Sequence, residues 1–89
     1  MRTSSYTRQF AKDLKRMEKR GKVLKKIKTI IKKLVNEERL APKYRDHKLI
    51  GNYKGRRECH VEPDWLLIYK IIDSEIIFER TGTHTDLFE

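Results

Sequence analysis

Three histidines, His47, His60 and His84, all lie in the second half of an 89-residue chain, and a carboxylate, Asp64, follows the middle one within a turn. Each has polar neighbours rather than a place in an apolar stripe. Imidazole has an unperturbed pKa of ~6.5, so near neutral pH it can both take and give a proton. Cleaving RNA without a metal needs that pair of roles. A base removes the 2′-hydroxyl proton, an acid protonates the leaving 5′-oxygen, and a cation steadies the charged phosphorane. Arg56, Arg57 and Arg80 are candidates for the cation, because a guanidinium binds oxyanions through two parallel N–H groups and stays charged. Tyr53, Trp65 and Phe88 offer rings on which unpaired bases could stack. Against this, most histidines are surface side chains, Trp65 opens an apolar run and reads as core, and Cys59 beside Val61 reads as a small buried hydrophobe. Histidine, Asp64 and Cys59 include metal-ligand types, but no compact ligand spacing joins them, so neither a metal nor another cofactor is assigned. Arg80 alternates with Ile76 and Phe78, so on a regular strand its charge would need a partner or solvent.

These residues must be positioned by elements whose periodicity is plain. Residues 3–7 can form a short strand. From Thr7, a suitable N-cap, apolar residues recur as Tyr6, Phe10, Leu14 and Met17, one face of a helix ended by Gly21. A second helix is expected from Lys22 to Glu38, with Val23, Leu24, Ile27, Ile30, Ile31, Leu34 and Val35 as its apolar stripe; Leu40-Ala41-Pro42 stops it. Residues 39–54 read as a connecting loop containing Tyr44-Arg45-Asp46-His47-Lys48-Leu49. Arg56–Glu62 then alternates, with Arg57, Cys59 and Val61 on one face and Arg56, Glu58, His60 and Glu62 on the other. Pro63-Asp64 turns into Trp65–Ile72, apolar enough to be covered on both faces. Asp73-Ser74 turns into a last strand, Glu75–Thr81, with Ile76, Phe78 and Arg80 on one face. Thr83–Phe88 is a short tail of about one helical turn. This is an α+β order: a helical hairpin packs on one face of a small antiparallel sheet and leaves the other face open.

Composition bounds the function. At 10.8 kDa the chain holds one domain, residues 1–89. It has no apolar run long enough to span a membrane and no signal-peptide pattern, and its single cysteine cannot form an internal disulfide. The expected compartment is the cytoplasm. The net charge is +9. Residues 1–48 carry 17 basic and 5 acidic side chains, whereas residues 49–89 carry 5 basic and 8 acidic ones. Such asymmetry points to a polyanion or an acidic protein partner. Lys22, Lys25, Lys26, Lys28, Lys32 and Lys33 on the second helix are the candidate contacts to RNA.

The segments Asp46-His47-Lys48-Leu49, His60-Val61-Glu62-Pro63-Asp64-Trp65 followed by Leu67-Ile68-Tyr69-Lys70, and Phe78-Glu79-Arg80-Thr81-Gly82-Thr83-His84 ending near Leu87-Phe88 together resemble the YafQ family. Those are toxins of type II toxin–antitoxin systems in the RelE/ParE superfamily. The resemblance spans essentially the whole chain. It implies a RelE-like fold, two helices on a four-stranded, mainly antiparallel sheet in the order β-α-α-β-β-β with a short C-terminal segment. It implies a ribosome-dependent endoribonuclease, an mRNA interferase, whose partners are the ribosome, mRNA and an inhibiting cognate antitoxin. Operator DNA would be bound only by the toxin–antitoxin complex.

The family's active-site positions correspond to His47, His60, Asp64, His84 and Phe88. Within that frame His84 is the general acid. Asp64 with His60 activates the 2′-hydroxyl, and His47 orients or neutralises the phosphate. Arg80 is the transition-state cation, Phe88 positions a base, and the product carries a 2′,3′-cyclic phosphate. A ParE-like action on DNA gyrase is disfavoured, since it calls for no acid–base set. A purely RNA-binding module would explain the lysines but not the histidines. A degenerate toxin that only binds its antitoxin would not need all five matching positions.

Overall fold

The computed structural model describes residues 1–88. Strand β1 (Thr3–Tyr6) leads into helices α1 (Arg8–Lys19) and α2 (Leu24–Val35), then strands β2 (His47–Lys48), β3 (Arg57–Glu62), β4 (Trp65–Ile72) and β5 (Glu75–Gly82), and a final short helix α3 (His84–Phe88). The strands form one five-stranded sheet in the order β1-β5-β4-β3-β2. β1 runs parallel to β5, and every other pair is antiparallel. The resemblance implied four strands. The fifth is β2, inside the stretch expected to be a loop, where His47 pairs with Glu58 and Lys48 with Arg57.

The helical hairpin forms as its pattern requires. Thr7 caps α1 by accepting from the Phe10 amide at 3.0 Å. Gly21, at φ 87°, takes the left-handed position after the helix, and Lys22 N donates to Met17 O while Gly21 N donates to Glu18 O. The same closure ends α2 earlier than expected. Glu37, not a glycine, sits at φ 61°, and Glu38 N reaches Lys33 O at 2.9 Å, so the helix stops at Val35 rather than running on to Glu38. Arg2 satisfies the exposed helix end, through its amide to Val35 O and its guanidinium to Leu34 O.

The main core lies between the hairpin and the sheet: Phe10, Met17, Ile27, Ile30 and Leu34 from the helices meet Cys59, Trp65, Leu67, Tyr69, Ile76 and Phe78. Each large side chain buried there stabilises the fold by about 1.5–3 kcal/mol. The opposite face is only partly open, because Leu66 and Ile68 pack with Leu87 of α3, flanked by Leu49 and Tyr53.

Two bulges redirect side chains that simple alternation had placed elsewhere. On β3 the pairing shifts between His60 and Glu62, so Glu62 pairs with Trp65 and turns to the helical side, where Lys22 and Lys26 each bind it at 2.7 Å. On β5, Phe78 pairs with Tyr69 but Arg80 pairs with Ile68, leaving Glu79 as the extra residue. Arg80 therefore leaves the face of Ile76 and Phe78. Its guanidinium meets the carboxylate of Asp13 on α1, Nε to Oδ2 at 2.8 Å.

Asp13 is fully buried. It accepts also from Thr81 N at 3.1 Å, Gln9 Nε2 at 3.1 Å and Arg16 at 3.0 Å. Replacing it strands a buried amide and two guanidinium groups. Asp13→Ala should destabilise the fold by about 3 kcal/mol. Urea unfolding followed by circular dichroism checks this, as a lowered midpoint at unchanged slope.

Candidate active site

Five side chains from four parts of the chain converge on the outer face of the sheet. His47 comes from β2, His60 from β3, Asp64 from the β3–β4 turn, and His84 and Phe88 from α3. The ring centroids form a row: His47 to His60 6.4 Å, His60 to His84 6.3 Å, and His84 to Phe88 5.6 Å. Tyr53 extends it with an edge-on contact to Phe88 at 5.4 Å. The histidine cleft is lined by Arg45, His47, Glu58, His60 and His84. All five family-matched positions are thus brought together at one site.

Hydrogen bonds fix which nitrogen of each ring holds a proton. His60 Nδ1 faces Pro63 O at 3.2 Å, and His47 Nδ1 faces Arg45 O at 2.6 Å. A carbonyl only accepts, so both Nδ1 atoms donate, and His60 Nε2 is left free. His84 Nδ1 lies 3.4 Å from Asp64 Oδ1, an oxygen that also accepts the His84 backbone amide at 2.9 Å. That backbone hydrogen bond, more than the imidazole, holds the Asp64 carboxyl below its ordinary range, so Asp64 stays ionised. Asp64 serves His84, not His60. Glu58 is buried, with Oε2 3.2 Å from His47 Nε2 and Oε1 without any partner among the described residues.

The placement of α3 rests on its first turn. Thr83 and Asp86 cap it reciprocally: Thr83 N donates to Asp86 Oδ2 at 2.9 Å, and Asp86 N to Thr83 Oγ1 at 3.2 Å. Arg20, at the hairpin bend, grips the same carboxylate with two N–H groups at 2.6 and 3.1 Å. A Cβ on Gly82 would come within 2.9 Å of Asp86 Oδ2 and 3.0 Å of its Cβ, so any side chain there would push on the cap. At its far end α3 is tied down by the Tyr53 hydroxyl, which donates to Leu87 O at 3.2 Å.

The proposed phosphate-binding arginines lie outside this cleft, and each is held by a carboxylate. Arg56 binds Glu79, Arg57 binds Asp46, and Arg80 binds Asp13. Asp46 also accepts from the Tyr69 hydroxyl, which anchors the backbone just before His47. Among the lysines, Lys22 and Lys26 are engaged with Glu62, whereas Lys25, Lys28, Lys32 and Lys33 make no ion pair among the described residues. Trp65 is core, its Nε1 donating to Thr81 Oγ1 at 2.9 Å. Cys59 is buried too, and burial pushes its thiol well above its ordinary range. Residue patterning missed Arg45 and Glu58. The signal for Arg45 was its place directly beside Asp46-His47; Glu58 alternates with His60 on the same strand face.

Comparison with known proteins gives a consistent set of likenesses. A family model described as bacterial toxin of type II toxin–antitoxin system, YafQ, matches residues 2–89. The mRNA interferase toxin YafQ of Escherichia coli strain K12 is 48% identical over 88 residues, covering 98% of this chain and 96% of that protein. The toxin chain in the crystal structure of the E. coli DinJ-YafQ toxin-antitoxin complex is 47% identical and superposes with a TM-score of 0.92, over 99% of this chain and 98% of that one. A metal-bound toxin from Helicobacter pylori is 42% identical with a TM-score of 0.91, over 99% of this chain and 100% of that one.

The Asp86 carboxyl is held well below the usual range, chiefly by Arg20. The folded state therefore releases that proton more readily than the unfolded chain. The stability gained is complete above the unfolded value of about 3.9 and is lost as pH falls toward the folded one. Thermal melts between pH 6 and 3 should show a flatter acid limb for Asp86→Asn than for the unaltered chain, with the Asn variant already the less stable at pH 6.

Proposed function

The chain belongs to the YafQ family of bacterial toxins of type II toxin–antitoxin systems, and on that premise we propose that its histidine cleft cuts mRNA on the translating ribosome. The protein is an endoribonuclease, an mRNA interferase, and an antitoxin is its inhibitory partner. The observation that carries the mechanism is the fixed set of ring hydrogen bonds. His60 gives its Nδ1 hydrogen to Pro63 O and keeps Nε2 for a substrate proton; His84 gives its Nδ1 hydrogen to Asp64 and presents Nε2.

In the reaction His60 Nε2 takes the 2′-hydroxyl proton, and the freed 2′-oxygen attacks phosphorus. The bond from phosphorus to the 5′-oxygen breaks, and that oxygen receives the proton from His84 Nε2. One product ends in a 2′,3′-cyclic phosphate and the other in a 5′-hydroxyl. The His60 and His84 rings lie 6.3 Å apart between centroids, which puts both beside the same reacting phosphate. Asp64 acts through His84, aligning the ring and stabilising its protonated form. His47, whose nitrogens face Arg45 O and Glu58, orients the phosphate from the edge of the cleft. Phe88, 41% exposed and supported by Tyr53, offers a base its face. The scheme assigns no step to a metal ion. Lys25, Lys28, Lys32 and Lys33 face outward for contact with ribosomal RNA, which sets the working compartment as the cytoplasm. Operator DNA is bound by the toxin only when joined to its antitoxin.

His84→Ala should lower single-turnover cleavage on programmed ribosomes by about 10²-fold or more while the thermal midpoint is kept. A 2′-deoxynucleotide at the cleaved position should stop the unaltered enzyme. Cleavage of the deoxy substrate would exclude attack by the 2′-oxygen, and full activity of His84→Ala would remove that histidine from the mechanism.

A further inference from the structure

The three arginines first considered for the phosphate are neutralised, yet the transition state still needs a fork of donors beside the imidazoles. Arg45 alone among the arginines lines the histidine cleft. It is exposed, and its guanidinium has neither an ion pair nor a hydrogen bond among the described residues. Its backbone sits at φ 50°, a left-handed conformation uncommon for a non-glycine residue. That conformation is held from both sides. Arg45 N donates to Pro42 O at 3.0 Å, Arg45 O accepts from His47 Nδ1, and the next residue, Asp46, is gripped by Arg57 and Tyr69.

Arg45 also lines a second depression. This groove runs from His60 between α2 and the turn Pro42–Tyr44, floored by Ile30 and Val61 and rimmed by Lys26, Lys43 and Arg45. Glu62 reaches it as well, but Lys22 and Lys26 together bind that carboxylate, so the groove is positive on balance. Its wall includes Tyr44, whose ring has the Lys43 amino group 5.1 Å from its centroid. A narrow cationic channel with an apolar floor, continuous with a phosphate-cutting cleft, suits a single RNA strand: cations meet successive phosphates, and a base rests on the floor.

We propose that Arg45 is the catalytic phosphate-binding cation of the cleft, and that the groove it shares with Lys43 and Lys26 carries the mRNA strand flanking the cut. This rests on the ribonuclease reading above and adds two contacts to it. Arg45, at the junction, holds a non-bridging oxygen of the reacting phosphate, and Lys43 holds a neighbouring phosphate.

The test uses the whole chain on ribosomes programmed with mRNA, comparing wild type, His84→Ala, Arg45→Ala, Arg45→Lys and Lys43→Ala, with thermal melts to verify folding. Arg45→Ala should lose about 10²-fold in single-turnover rate at saturating ribosomes, with binding little changed. Arg45→Lys should regain only part, since an ammonium cannot form the fork. Lys43→Ala should act at the binding step. Its binding to ribosomes carrying the uncleavable 2′-deoxy mRNA should weaken, with a salt slope shallower by about 1. If wild type cuts, His84→Ala does not, and folded Arg45→Ala cuts at the wild-type rate, the role of Arg45 is overturned while the ribonuclease reading stands. An unchanged salt slope for Lys43→Ala overturns the groove as the strand path. A wild-type chain that cuts no mRNA overturns both readings together.

Discussion

A single buried carboxylate, that of Asp13, joins the helical layer to the part of the sheet that leads into the cleft. It draws Arg80 and the Thr81 amide of β5 to α1, at the stretch where β1 has ended and that edge of β5 has no strand beside it. With the backbone of β5 fixed there, Thr81 Oγ1 can take the Trp65 indole hydrogen and give its own to Leu66 O at 2.6 Å. Gly82 then lets the chain pass close under Asp86, and α3 starts with His84 at its first position. A charge so deeply placed is tolerable because every element around it supplies a donor. The His84 end of the histidine row therefore depends on a contact made on the far side of the sheet.

The same economy of charge explains how a chain rich in arginine and lysine leaves so few of them at the site. Glu62, Glu79, Asp46, Asp13 and Asp86 each claim at least one cation, and each pair locks a segment that carries a site residue. Arg56, Arg57 and Arg80 are each held by a carboxylate outside the cleft. Arg45 makes no ion pair among the described residues, and it stands beside Asp46 and His47, which are both tied down.

Periodicity sufficed for the hairpin, the three central strands and the turns, because those elements bury a continuous apolar stripe whose spacing is visible in the residues themselves. The motif histidines were legible through family likeness, and their convergence follows from antiparallel topology. What was not legible came from irregularity. A bulge adds one residue to a strand and reverses every later side chain, so Glu62 and Arg80 appeared on the wrong faces. β2 is two residues long and has no pattern to detect. Glu37 closes α2 in a conformation that sequence rules reserve for glycine or asparagine. Asp13, one polar residue on an amphipathic helix, carried no mark of its burial. Antiparallel order already brings the loop after β5 toward the turn holding Asp64, but that the carboxylate contacts His84 rather than His60 needed the geometry.

The parallel pairing of β1 with β5 has a consequence for the birth of the molecule. Thr3 lies beside Glu75 and Tyr6 beside Phe78, so the first strand to be synthesised waits for nearly the last. Such a distant contact is slow to close and cannot form while the C-terminal segment is still held inside the ribosome that makes it. His84 and Phe88 lie later still. The histidine row, completed by His84 and Phe88, is therefore among the last sets of contacts that the fold can assemble.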